Sequence, residues 1–243
     1  MIRVLAAVAL GAGLAGAISG AALHAHDPGA SGTAGEAQFA RTPEFDYDPP
    51  EPGSYDLPAL FPAADGVVLD STSTRHQLGD VFKGKIVLLS LIYTLCSDTK
   101  GCPLATAALY DIYNASEGDS EIARNLRIVS LSFDPERDTP ATITEYASSL
   151  KGAANAEHKS DWMFLTTESE HALAPILDGY DQVVNRNVIS DGVSVSALEH
   201  NLQVYLIDRS GQVRNIYTLV FLDPRLIVAD IKTLLLENRR AGH

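Results

Sequence analysis

Residues 86–103 read Ile86-Val87-Leu88-Leu89-Ser90-Leu91-Ile92-Tyr93-Thr94-Leu95-Cys96-Ser97-Asp98-Thr99-Lys100-Gly101-Cys102-Pro103, and this stretch decides the fold. Ile86 to Tyr93 is a short, almost unbroken apolar run, as expected of a strand buried on both faces of a sheet. Pro103 opens a helical stretch through Ala115, in the first turn, where its missing N–H costs nothing. Leu126 to Phe133 is a second apolar strand. Thr139-Pro140 then starts a helix with Ile143, Tyr146, Ala147 and Leu150 on one face. Strand, helix, strand is a βαβ unit, so the class is α/β with a central sheet flanked by helices.

The alternation continues outward. Trp162 to Leu165 reads as a short strand and Glu168 to Tyr180 as a helix. Leu202 to Ile207 and Val213 to Tyr217 flank Asp208-Arg209-Ser210-Gly211, a hairpin signal. Asp223-Pro224 starts a last helix with Ile227, Ile231, Leu234 and Leu235 at helical spacing, closed by Arg239 and Arg240. Residues 182–199 stand outside this alternation.

Composition narrows the function. The 243 residues are 46% apolar and 20% charged, a globular balance with length for one sizeable core. Two cysteines exclude a disulfide-dense scaffold and a four-cysteine zinc site. Against 31 acidic residues stand 18 basic ones, and the net charge of −13 repels nucleic acid and anionic lipid while favouring cationic partners or metal ions.

Met1-Ile2-Arg3 followed by the uncharged run Val4 to Leu23 has the layout of an export signal. The run is long enough to span a bilayer, but its Ala and Gly make insertion weak, so cleavage after Ala21 or Ala25 is expected over a permanent inner-membrane anchor at residues 4–23. The expected organisation is a signal at 1–25, an acidic, Pro- and Gly-rich tether at 26–54, and a folded domain at 55–243, all in a periplasmic protein.

An exported chain meets an oxidising compartment, so Cys96 and Cys102 need a reason to exist. They lie between a buried strand and a helix N-terminus, at the carboxyl end of a strand, where α/β sheets bind ligands. Cys102 stands at the expected N-cap, where free N–H groups and the helix dipole favour its thiolate. A right-handed crossover brings Asp134, directly after the second strand, to the same sheet edge, where it either supports the site or only shapes a turn. If Leu202 to Ile207 runs antiparallel to Ile86 to Tyr93, His200 falls at that edge too. Two thiolates and an imidazole make a soft, three-coordinate set suited to Cu(I), with room for a further ligand on Cu(II).

The order YTLC, CPLA, SLSFDPERDTP and EHNLQVYLIDRSGQVRNIY resembles the Sco/SenC family of membrane-associated or periplasmic copper proteins over roughly residues 55–238. The resemblance implies a thioredoxin-like fold, copper bound by Cys96, Cys102 and His200, and Asp134 in a supporting or partner-facing role. It also implies help in delivering copper to the binuclear site of cytochrome c oxidase, or in reducing that site's cysteines. The family's usual motif is Cys-x3-Cys-Pro. Here it is Cys-x5-Cys-Pro, a longer loop that contains Gly101. Peroxiredoxins share the general fold, but their pattern places a Thr three residues before the reactive Cys, and Thr94 is two before Cys96.

Three functions are therefore set against each other. The leading one is a copper chaperone serving an exported acceptor, an oxidase subunit or a basic c-type cytochrome. The second is a thiol-disulfide oxidoreductase with Cys96 and Cys102 as its redox pair. The third is a non-catalytic domain with a structural disulfide. A separate minor site is conceivable at Ala22-Leu23-His24, which cleavage after Ala21 would expose as an amino-terminal Cu(II)-binding tripeptide.

Overall fold

The computed structural model describes residues 45–96, 100–151, 158–186 and 198–241. The expected signal, most of the tether, and the Ala22-Leu23-His24 tripeptide lie outside them. The elements run β1 (Phe61–Pro62), β2 (Val67–Asp70), β3 (Arg75–Gln77), α1 (Leu78–Phe82), β4 (Ile86–Ile92), α2 (Cys102–Ala115), α3 (Ser120–Asn125), β5 (Leu126–Ser132), α4 (Pro140–Lys151), β6 (Asp161–Thr166), α5 (Glu170–Gly179), β7 (Asn185–Arg186), β8 (Leu198–Glu199), β9 (Val204–Ile207), β10 (Gln212–Tyr217) and α6 (Pro224–Ala241).

All seven residues of β4 are buried, because alternate side chains feed two different cores. Ile86 and Leu88 pack with Leu109 and Ile112 of α2 and Ile227 and Ile231 of α6. Val87, Leu89 and Leu91 pack on the other face with Val81 of α1 and Leu173 and Ile176 of α5. β4 pairs in parallel with β5, β5 in parallel with β6, and β4 antiparallel with β9. The sheet order is β1-β10-β9-β4-β5-β6-β2-β3, with β7 and β8 forming a separate pair. This mixed, helix-flanked sheet is the thioredoxin-like arrangement.

The β9–β10 hairpin forms where Asp208-Arg209-Ser210-Gly211 signals it. Asp208 accepts hydrogen bonds from the backbone N–H of Ser210 and Gln212 at 2.9 and 3.0 Å, and Gly211 supplies the positive φ of 79°. Residues 61–82 contribute β1 to β3 and α1, which the sequence did not announce. Those strands are two to four residues long and gain stability only from remote partners, such as Phe61 opposite Val213 and Leu69 opposite Thr166. Of the excursion at 182–199, Asn185 and Arg186 pair with Glu199 and Leu198, and residues 187–197 lie outside the described residues. Chain before β1 lies on α6: Arg225 donates to the Phe45 carbonyl at 2.5 Å, Gly53 N–H to Thr233 Oγ1 at 2.9 Å, and Tyr55 O–H to Asp230 Oδ1 at 2.5 Å. Among the described residues no helix is long and apolar enough to cross a membrane.

Candidate metal centre

Because β4 and β5 are parallel and β9 is antiparallel to β4, the carboxyl ends of the first two and the amino end of the third share one sheet edge. The chain leaving β4 turns at once, with Cys96 N–H bonded to the Tyr93 carbonyl at 3.2 Å. It returns at Gly101, which caps α2 and accepts from the N–H groups of Leu104 and Ala105. The helix thus starts one residue earlier than the sequence indicates. Cys102 is its first residue, and the N-cap position assigned to it belongs to Gly101.

Despite the longer loop, the two sulfurs converge. One ligand atom each from Cys96, Cys102 and His200 lies within 4.8 Å of the other two. His200 Nε2 is 3.3 Å from Cys102 Sγ, and its Nδ1 is 3.2 Å from the Asn201 carbonyl. A carbonyl can only accept, so that contact places the proton on Nδ1 and leaves the Nε2 lone pair facing the thiols. The imidazole packs against the rings of Phe133 and Tyr93, with centroids at 4.6 and 6.4 Å. Tyr93 directly follows β4 and Phe133 directly follows β5, and their ring centroids are 5.2 Å apart. Both thiols are free. Cys102 is 1% exposed, whereas Cys96 is half-buried.

Burial corrects the expectation for the Cys102 thiolate. Loss of water pushes the Cys102 thiol well above its ordinary value; N–H groups of Tyr93 and Cys102 itself oppose this, and the adjacent Cys96 adds to it. Burial, and then the neighbouring Cys96, likewise push the Tyr93 phenol up to about 12. A metal ion entering between the sulfurs would displace the Cys102 proton, which makes binding tighter as pH rises.

Asp134 sits at the same edge but is occupied otherwise. It is 1% exposed, 2.6 Å from Arg137 Nε, and its carbonyl accepts from the N–H groups of Arg137 and Asp138. It is not one of the three residues whose ligand atoms converge. The carboxylate that reaches the cysteine loop is Asp138, fully buried at 0% exposure. Asp138 accepts from Thr94 N–H at 2.9 Å, from Thr94 O–H at 2.5 Å and from Ser132 O–H at 2.6 Å. It ties the loop to the end of β5, two residues before Cys96. Sequence reasoning passed over Asp138; the available signal was a second Asp four positions after the first, facing a Thr that closes a buried strand.

A central mixed sheet carrying a thiol pair at a strand-to-helix junction and a histidine across the same edge defines a thioredoxin-like thiol protein able to hold a soft metal ion. The SCO1/SenC family model matches residues 69–236, and the chain belongs to that family. It is similar to the SCO1 protein homolog of Bacillus subtilis (strain 168), at 27% identity over 153 residues, covering 62% of this chain and 72% of that one. Among solved structures it resembles Bradyrhizobium japonicum ScoI with copper bound, with a TM-score of 0.54 and 23% identity over 69% of this chain and 96% of that one. It also resembles BsSco, described as a member of the Sco family of cytochrome c oxidase assembly proteins with a disulfide switch, with a TM-score of 0.55 and 23% identity over 76% of this chain and 98% of that one. At these identities the structural likeness speaks for the fold.

Proposed function

We propose that this protein is an exported copper chaperone that takes one copper ion as cargo with Cys96, Cys102 and His200 and passes it to an exported acceptor. The observation that carries the reading is the convergence of two thiol sulfurs and an imidazole nitrogen within 4.8 Å. Soft sulfur donors with one imidazole favour Cu(I) over Mg(II) or Ca(II), and a low coordination number leaves a side open for an incoming acceptor ligand. Copper in a solved relative and the assembly role stated for BsSco agree with it. Asp138 would hold the loop that presents Cys96, and the Asn201 carbonyl would hold the imidazole tautomer. A cytochrome c oxidase subunit fits as acceptor, and the net charge of −13 favours a basic partner.

An anaerobic Cu(I) titration against a competing chelator tests this on the reduced protein from residue 26 onward and its His200→Ala variant. One copper per chain, held more weakly in the variant, is expected. A reduced protein that cannot compete at all would overturn the reading.

A second reading is favoured by the two free thiols: Cys96 and Cys102 exchange with a partner's disulfide. Disulfide formation needs the sulfurs to close to about 2.05 Å, so the loop must tighten on oxidation. Activity that survives His200→Ala but not loss of either cysteine would favour exchange over copper transfer.

A further inference from the structure

Cys102 is 1% exposed, so a partner that meets the sulfur pair needs a way in. A groove of about 450 Å³ provides one, lined by Cys96 and Cys102 together with Tyr110 of α2 and Tyr146, Ser149 and Leu150 of α4. His200 does not line it, so the groove meets the sulfurs from a side other than the imidazole. Among the described residues no Asp, Glu, Lys, Arg or His lines it, in a chain that is 20% charged with a net charge of −13. Its walls are mainly aromatic and aliphatic, with the hydroxyls of Thr94, Thr106 and Ser149 among them, and Tyr110 keeps 39% of its surface exposed. The Tyr146 hydroxyl is bonded to Thr106 Oγ1 at 3.1 Å, and its ring is part of the wall.

We propose that the groove between α2 and α4 docks an extended, uncharged segment of the acceptor protein, with an aromatic or aliphatic side chain beside the cysteine that meets Cys96. This deepens the proposed function and rests on its reading of a cysteine-bearing acceptor. The chemistry selects this occupant. A small thiol carrying carboxylates would lose their hydration with no cation among the described lining residues to replace it, and the acidic chain would repel it. A volume of about 450 Å³ accepts several side chains, and tyrosine faces favour apolar or aromatic ones.

The test uses a Cys102→Ser variant, in which Cys96 is the single thiol, and short peptides whose one cysteine is held as a mixed disulfide with a chromogenic aryl thiol. The Cys96 thiolate attacks the peptide sulfur, a Cys96–peptide S–S bond forms, the bond to the aryl thiol breaks, and the aryl thiolate leaves with the electron pair. No outside oxidant is needed. A Phe- and Leu-flanked peptide is expected to react about tenfold faster than a Ser-flanked one, a difference of about 1.4 kcal/mol, and a Glu-flanked peptide slowest. Added Ser149→Glu or Tyr110→Ser should bring the Phe-to-Ser ratio towards one. The ratio cancels any effect of the substitution on Cys96 itself. Placed in the chain with both cysteines, the same two substitutions should leave Cu(I) affinity within about twofold, well under the 1.4 kcal/mol of a tenfold change. A ratio near one in the parent, or one that neither substitution lowers, overturns the groove. Loss of Cu(I) binding in the unaltered chain with the peptide preference intact would overturn copper delivery instead and leave the groove standing.

Discussion

Replacing Asp138 should free the cysteine loop as well as destabilise the protein. Its carboxylate accepts three hydrogen bonds, two from Thr94 and one from Ser132, at a site with no solvent exposure. A hydrogen bond to a charged group contributes roughly 1.5–3 kcal/mol, and such bonds within one network do not add fully. Asp138→Ala should therefore cost about 3–5 kcal/mol in global stability. Asp138→Asn keeps an acceptor oxygen and should cost about 1–2 kcal/mol, because the Thr94 and Ser132 hydroxyls can reorient. The copper consequence follows from chain entropy. Freeing Thr94 and Leu95 means that binding must reorder them, at about 1–2 kcal/mol per residue. A total of about 2–4 kcal/mol weakens Cu(I) binding roughly 30- to 1,000-fold. Urea unfolding reports the first effect and anaerobic chelator competition the second, with Thr94→Val as a milder step along the same path. An Asp138→Ala protein that loses stability yet binds Cu(I) as tightly as the parent would refute the idea that this carboxylate positions the loop.

Asp208 gives a pH signature. Burial raises its carboxyl, but the Ser210 hydroxyl, the Gln212 N–H and Arg214 outweigh that and hold it below its ordinary value. A depressed folded-state value adds stability that is present above the unfolded value of about 3.9 and is lost as pH falls through the folded one. Asp208→Asn should thus cost about 1–3 kcal/mol at neutral pH, with a gap that narrows in urea melts near pH 3; a gap independent of pH would contradict this. Leu109 is fully buried between β4 and α6, so Leu109→Ala should cost about 2–5 kcal/mol with no change in copper stoichiometry. Loss below about 1 kcal/mol in denaturant would mean that the core closes over the cavity.

The parts of this molecule that could be read from sequence are those whose signals are local. Ile86 to Ile92 announces a doubly buried strand, because no polar face interrupts it, and Asp208 to Gly211 announces a hairpin, because the turn chemistry sits within four residues. His200 was placed by topology: antiparallel pairing of β9 with β4 carries it to the cysteines' edge. The chain before β4 was not legible, since β1 has two residues and pairs with Gln212 and Val213 far along the sequence. The choice between Asp134 and Asp138 also depended on geometry. Both follow β5 in one turn, but the chain folds back through Asp134 carbonyl contacts and sends Asp138 inward to Thr94. The Cys102 thiol was misjudged for a related reason: helix position is visible in the sequence, and its burial is not.

The central claim is that one copper ion is shared by two sulfurs and one imidazole. X-ray absorption on the reduced, Cu(I)-loaded protein tests it most directly. The account predicts two sulfur scatterers and one nitrogen scatterer around copper, with the nitrogen contribution lost in His200→Ala. A spectrum with sulfur scatterers alone, or one unchanged by His200→Ala, would contradict it.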